Sequence, residues 1–135
     1  MTSHQNLEFD IVIVGGGMVG ATMASLLRSM SLRIALIDRA KFDEDQFSLQ
    51  LETSKFDPRV SALTSATKRI FEELDLWKDI QAVRCCDYQN MHVWDADGTG
   101  SISFSSNALD QSELGTIVEN SVLTAALYKK IVHQE

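Results

Sequence analysis

The stretch DIVIVGGGMVGATMASLLRSMSLRIALID, residues 10–38, reads as a strand, a glycine-rich turn, a helix and a second strand that ends on an acid. Ile11-Val12-Ile13-Val14 is a β-branched run, suited to a parallel strand buried on both faces. Gly15 permits the tight turn out of that strand. Gly17 lets the backbone approach a pyrophosphate with no Cβ in the way, and Gly20 lets the following helix pack closely on the sheet. The pattern predicts a helix over residues 18–30. Its first turn, with Met18 and Val19, aims free N–H groups and the positive end of the helix dipole at the phosphates, an effect worth roughly 0.3–1 kcal/mol. Residues 32–37 form the second strand, and Asp38 closes it. Its carboxylate can accept hydrogen bonds from both ribose hydroxyls of an adenosine, each charge-assisted and worth about 1.5–3 kcal/mol. The acid falls eighteen residues after Gly20, close to the spacing of about 20 that such sites use. A lone GxGxxG is a weak signal, but one that follows a β-branched strand, opens a helix and leads to an acid-capped strand implies a bound dinucleotide. The uncharged run 11–27 is not read as a membrane span or a signal segment. Three consecutive glycines, Glu8 and Asp10 in front, and no Lys or Arg before Arg28 argue against both.

A chain of 135 residues supports one core and buries about two thirds of its unfolded surface. The net charge of −7 disfavours nucleic acid as a partner and offers no polybasic patch for anionic lipid. Cys85 and Cys86 are adjacent, which suits neither a disulfide framework nor the paired spacing of a zinc site. They read as ordinary thiols in a reducing cytoplasm. His4, His92 and His133 are isolated and read as structural or solvated. The absence of a GxSxG elbow and of a P-loop removes the common hydrolase and NTPase readings.

Residues 41–54 (KFDEDQFSLQLETS) are polar and acidic with no sustained period and read as a surface loop. Phe56-Asp57-Pro58-Arg59 then leads into an expected helix. Leu63, Ala66, Ile70 and Leu74 recur along it at three and four, and Leu76, Trp77 and Ile80 close its end. Pro58 falls just before that helix, where its missing N–H costs nothing. Residues 87–95 and 101–106 read as two strands joined by a turn over Asp95-Ala96-Asp97-Gly98, a β-hairpin. Residues 113–120 lead into a last helix with Val122, Leu123, Ala126, Leu127 and Ile131 on its apolar side. No internal repeat or low-complexity tract is visible.

Four ordered segments, GGGMVG, DPRVSAL, MHVWDADG and LGTIVENSVLTAAL, together resemble the N-terminal part of the ubiquinone-biosynthesis hydroxylases. These are class A flavoprotein monooxygenases, related in fold to para-hydroxybenzoate hydroxylase. The resemblance runs from about Phe9 to about Lys130. It implies an α/β fold: a Rossmann-like FAD-binding βαβ with an inserted β-hairpin, incomplete relative to the full family fold. Residues 1–135 would be the N-terminal part of the FAD-binding domain, with the 87–106 hairpin opening the substrate-side sheet. Carried over by position, Gly15, Gly17, Met18, Val19 and Gly20 would cradle the FAD pyrophosphate, and Asp38 would hold the adenosine ribose. Arg39 would lie along the adenine. Arg59 resembles the family's arginine that reaches the flavin side, where its fork of donors suits phosphate and ribityl oxygens better than a lysine would. Asn120 aligns with a position whose amide meets the ribityl chain. Plainer readings stand beside these: Arg59 as an ordinary surface or helix-start arginine, Asp57 as a cap for the expected helix, and Asn120 as an N-cap of the last helix.

The resemblance further implies NAD(P)H as co-substrate, O₂ as oxidant and a polyprenylated phenol or quinol as substrate. No acid, base or nucleophile in this chain has to be named as catalytic, because the flavin carries the redox chemistry. Other ubiquinone-biosynthesis proteins are candidate partners. The expected location is cytoplasmic and peripheral to the inner membrane, with no transmembrane segment. Family members continue well beyond this point, so the chain reads as an N-terminal fragment, inactive alone and prone to self-association. Three other readings compete. One is another class A aromatic hydroxylase or epoxidase, and a second is a non-catalytic binding or assembly subunit. The third is a nicotinamide dehydrogenase, which leaves DPRVSAL and IVEN without a role.

Overall fold

In the chain's computed structural model, β1 (Ile11–Val14) and β2 (Ile34–Ile37) pair in parallel with Ile11 opposite Ile34 and Val14 opposite Ile37. Helix α1 (Met18–Leu27) crosses between them, the βαβ unit expected from residues 10–38. The structure describes residues 7–40 and 56–132; the expected loop at 41–54, His4 and His133 lie outside the described residues. The expected strand was buried on both faces, but β1 alternates. Ile11 and Ile13 are half-buried, whereas Val12 and Val14 are exposed, Val14 to 82%. Helix α1 ends at Leu27, short of the expected Met30, where Met30 N–H turns back to the Leu27 carbonyl. Residue 33 serves as a clasp before β2. Its carbonyl accepts the Asp10 N–H at 2.9 Å, while its own N–H donates to Asp10 Oδ2 at 2.7 Å.

The segment after Pro58 departs from expectation. Residues Val60–Leu63 form strand β3, not the first turn of a helix. Helix α2 (Ser65–Glu73) begins later, capped by Thr64, whose hydroxyl accepts the Thr67 N–H. Asp75, in the left-handed region at φ 54°, then breaks the chain before α3 (Trp77–Val83). Leu63 lies one strand residue before the cap, so its spacing to Ala66 mimics a helical period without belonging to one. Pro58 therefore precedes an edge strand, a place that also tolerates a missing donor.

The expected 87–95 strand is two. Residues Cys86–Tyr88 form β4, and Asn90–Trp94 form β5, which pairs antiparallel with β6 (Ser101–Ser105) as the expected hairpin. A 3-10 turn at Ser106–Leu109 follows. Residues Gly115–Glu119, expected only as a lead-in, form β7, the middle strand of an antiparallel sheet in the order β3-β7-β4. Helix α4 (Asn120–Val132) follows directly.

Helix α4 is the centre of the core. Its Val122, Leu123, Ala126 and Leu127 are buried together with Ala21 of α1, Phe71 of α2, Trp77 and Ile80 of α3, and Leu63 and Val118 of the sheet. Each large aliphatic side chain so placed contributes about 1.5–3 kcal/mol. Because α4 packs on α1, this core also fixes the helix that opens at the glycine turn.

Candidate dinucleotide site

The glycine turn has different demands at each position. Gly15 sits at φ 105°, a conformation that strongly favours glycine, and its N–H donates to the Ile37 carbonyl at 2.8 Å. Gly16 is buried, and its N–H donates to Asp38 Oδ2 at 2.5 Å. Gly17 is the N-cap of α1 in extended backbone and brings no capping side chain, and no acid follows in the first turn. The first N–H groups of α1, among them those of Met18 and Val19, have no intrahelical acceptor. A Cβ at Gly17 would meet nothing within 4 Å, whereas one at Gly20 would collide with the Gly15 carbonyl oxygen and lie 3.3 Å from Ile13 Cγ2. Gly20 is thus where helix meets turn, and Gly17 is where the turn is open.

Asp38 ends β2 beside this turn. Its Oδ1 accepts the Ala40 N–H at 2.8 Å and its Oδ2 the Gly16 N–H. These two donors, the Ala40 N–H foremost, hold its carboxyl below the usual carboxylate range, and the neighbouring Arg39 charge acts in the same direction. A carboxylate has about four acceptor positions, so two stay open for hydroxyl donors. Arg39 is exposed next to it.

A second group of expected residues gathers where β3 meets α4. Asn120 N–H donates to the Arg59 carbonyl at 2.9 Å, and Asn120 Oδ1 accepts the Ser61 hydroxyl at 2.6 Å. The plain N-cap reading of Asn120 therefore gives way to a side chain engaged across to β3. Asp57 caps no helix, since a strand follows it. Its Oδ1 accepts the Arg59 N–H at 3.0 Å and lies 3.3 Å from Arg59 Nε, while the Asp57 N–H donates to Glu119 Oε2. The Arg59 side chain is 79% exposed just before β3, which sets aside the helix-start reading and agrees with the surface-arginine one.

The two groups meet through Ser61, whose Oγ lies 3.9 Å from Met18 Sδ in the first turn of α1. The structure thus gathers Gly15, Gly17, Met18 and Gly20 in the turn and first helical turn with Asp38 beside them, and links Asn120 to them through Ser61, with Arg59 just before the strand that carries Ser61. Val19 and Arg39 are exposed. Sequence reasoning missed Gly16, Ser61 and Tyr128. The hydroxyl of Tyr128 donates to the Gly16 carbonyl across 112 residues of chain. The triple glycine was the available signal for Gly16, and Ser61 lay inside DPRVSAL. Nothing local marks Tyr128.

On the far side of the β3-β7-β4 sheet is an open cleft of about 320 Å³ lined by Phe56, Val60, Ile117, Cys86 and the Arg84–Glu119 ion pair. The register puts Val60, Ile117 and Cys86 on one face, while Ser61, Leu63 and Val118 face the helices. Arg84 also stacks 4.8 Å from the Phe56 ring. This face is separate from the glycine turn.

The donor set fits a dinucleotide: an uncapped helix start, a turn with open space at Gly17, and an ionised acid with acceptor positions to spare. No family model matches the chain. It is 35% identical over 134 residues to the mitochondrial ubiquinone biosynthesis monooxygenase COQ6 of Danio rerio, covering 96% of this chain and 27% of that protein. It is 33% identical over 129 residues to the 3-demethoxyubiquinol 3-hydroxylase of Escherichia coli K12, covering 93% of this chain and 31% of that protein. Among solved structures, P. aeruginosa PqsL in complex with 2-aminobenzoylacetate superposes with a TM-score of 0.62 at 21% identity, covering 91% of this chain and 30% of that one. The flavin-dependent monooxygenase PieE, solved with FAD and substrate, gives 0.61 at 17% identity, covering 93% and 22%. Among the described residues no helix is long and apolar enough to cross a membrane. In sequence the chain is similar along almost all of its length to ubiquinone-biosynthesis hydroxylases, 27 to 31% of whose length it spans, and its fold is that of part of a flavin-dependent monooxygenase.

Proposed function

We propose that this chain is the nucleotide-holding portion of an FAD-dependent monooxygenase that hydroxylates a polyprenylated phenol or quinol in ubiquinone synthesis, with NAD(P)H as reductant. The observation that carries the reading is the identity of 35% and 33% across more than nine tenths of the chain to two ubiquinone-pathway enzymes. FAD, when bound, supplies the redox and oxygen-transfer chemistry. The residues of this chain bind and orient. The first turn of α1, from Gly17 through Met18 and Val19, receives the pyrophosphate on N–H groups, and Gly15 and Gly20 set that turn. Asp38 accepts the ribose hydroxyls, and Arg39 lies along the adenine. Arg59 and Asn120 serve the ribityl side, the one oriented by Asp57 and the other by Ser61. In this reading residues 1–135 all belong to the FAD-binding domain, and the β5-β6 hairpin begins the sheet over the substrate. A lipid substrate would be met at a membrane surface, where other ubiquinone-biosynthesis proteins are candidate partners. The exposed row of Val12, Val14 and Ile37 on the βαβ unit supports self-association of this chain.

The test is an FAD titration of the chain followed by flavin fluorescence, with Asp38→Ala alongside. Saturable binding that weakens about tenfold or more in the variant is expected, in line with the loss of charge-assisted hydrogen bonds of about 1.5–3 kcal/mol each. Equal affinity of the two chains removes Asp38 from the site, and no binding to the unsubstituted chain removes the FAD assignment from this chain.

A further inference from the structure

Gly16 has both of its backbone polar groups held by distant side chains. Its N–H donates to Asp38 Oδ2 at 2.5 Å, and its carbonyl accepts the hydroxyl of Tyr128, a side chain only 5% exposed in the middle of α4. The absent Cβ makes this approach possible. A Cβ at Gly16 would collide with the Tyr128 hydroxyl and come within 3.2 Å of Asp38 Cβ. The carbonyl of Gly16 and the N–H of Gly17 belong to one peptide plane, and none of the described peptide bonds is cis. In a trans peptide the two groups point in opposite directions. A hydroxyl that draws the Gly16 carbonyl in toward α4 therefore turns the Gly17 N–H away from the core, toward the open side of the turn, where Gly17 is exposed.

We propose that Tyr128 is a positioning residue for the dinucleotide turn: by holding the Gly16 carbonyl it presents the Gly17 N–H outward as a donor to an anionic group such as a pyrophosphate. The ligand half of this inference rests on the FAD reading above, while the orientation of the peptide does not. Burial, and then the negative charge of Asp38, push the Tyr128 phenol above its ordinary value, so the hydroxyl keeps the proton it donates. Without that hydroxyl the Gly16 carbonyl would be a buried acceptor with no partner from α4, and the 16–17 peptide would be free to rotate.

The deciding variant is Tyr128→Phe, which keeps the packed ring and removes only the donor. Amide hydrogen exchange and amide chemical shifts are read in the free chain by NMR, followed by FAD titration. Expected are faster exchange at Gly16 and shifted Gly16 and Gly17 amides, with α4 amides still protected, and an FAD affinity lower by about three- to tenfold, the effect of one ordinary hydrogen bond. Unchanged Gly16 and Gly17 amides overturn the proposal. So does FAD binding that is equally tight in both chains. If the unsubstituted chain binds no FAD, the FAD reading fails, and the amide comparison still judges the positioning role. Should the variant lose protection throughout α4, the unsubstituted chain decides: its Gly17 amide, turned outward, should exchange much faster than the amides of β1, and protection there equal to that of β1 overturns the proposal.

Discussion

Gly17 and Gly20 stand one helical turn apart and need to be glycine for unrelated reasons, which two alanine substitutions separate. At Gly17 the backbone is extended with φ −67°, a conformation any residue adopts, and a Cβ would enter open space. Gly17→Ala should therefore leave the free chain within about 0.5–1 kcal/mol of its original stability, the cost of an N-cap change, yet weaken FAD binding by filling the side from which the ligand approaches. At Gly20 the new Cβ would strike the Gly15 carbonyl, which is backbone and cannot swing away as a side chain end would. Gly20→Ala should cost about 1–3 kcal/mol by overpacking, before any ligand is present. Urea unfolding of the two variants and a flavin titration check the pair. A Gly17→Ala chain that loses stability while Gly20→Ala does not would invert the assignment. These positions were legible in the sequence because their roles follow from spacing to a strand and a helix. Gly16 was not singled out, since its partner Tyr128 is brought up only by the packing of α4.

At the scale of elements, β1-α1-β2 was legible and the stretch from β3 to β5 was legible only in part, for a physical reason. In β1-α1-β2 each partner is close in sequence, so the β-branched runs and the glycine punctuation carry the information locally. Strand β3 pairs with β7 more than fifty residues later, Ser61 opposite Val118, and nothing in residues 60–63 announces that partner. Leu63, Ala66, Ile70 and Leu74 then imitate one helical stripe across what is a strand, a cap and a helix. Thr64 was the overlooked stop signal. Its hydroxyl accepts the Thr67 N–H at 3.3 Å and so marks the true start of α2. Thr64→Ala should destabilise the chain by about 1 kcal/mol, within the range for N-cap loss, as a lower urea midpoint at unchanged slope. A helix that truly began just after Pro58 would place Thr64 in its interior, where alanine is the better helix former, and the same substitution would then be neutral or stabilising.

For the molecule as a whole, charge sets two opposing responses to acid. The net charge of −7 means that protonation relieves overall repulsion, which favours the compact state as pH falls. Against this, among the described residues five carboxylates are held below their ordinary values: Asp10 by the Arg33 N–H, Asp38 by the Ala40 N–H, Asp57 by the Arg59 N–H, Glu113 by the Ser112 hydroxyl and Glu119 by the Arg84 guanidinium. A group with a depressed folded-state value contributes stability that is fully present above its unfolded value, about 3.9 for Asp and 4.3 for Glu, and lost as pH falls through the lower folded one. Repulsion acts over long distances and is screened beyond about 8 Å at physiological salt, whereas the five interactions are contacts and largely survive it. At 0.15 M salt the melting temperature should therefore stay level between pH 7 and about 5 and fall below about 4. Glu119 should contribute to that fall with particular weight, because its carboxylate binds Arg84 at 2.6 Å and the Asp57 N–H at 2.8 Å and so ties α3, β7 and the approach to β3 together. Glu119→Gln should accordingly be less stable at pH 7 and lose less on acidification, so the two melting curves converge toward pH 3. A melting temperature that climbs from pH 5 to pH 3 would mean that global repulsion outweighs the paired carboxylates, and parallel curves for the two chains would remove Glu119 from that balance.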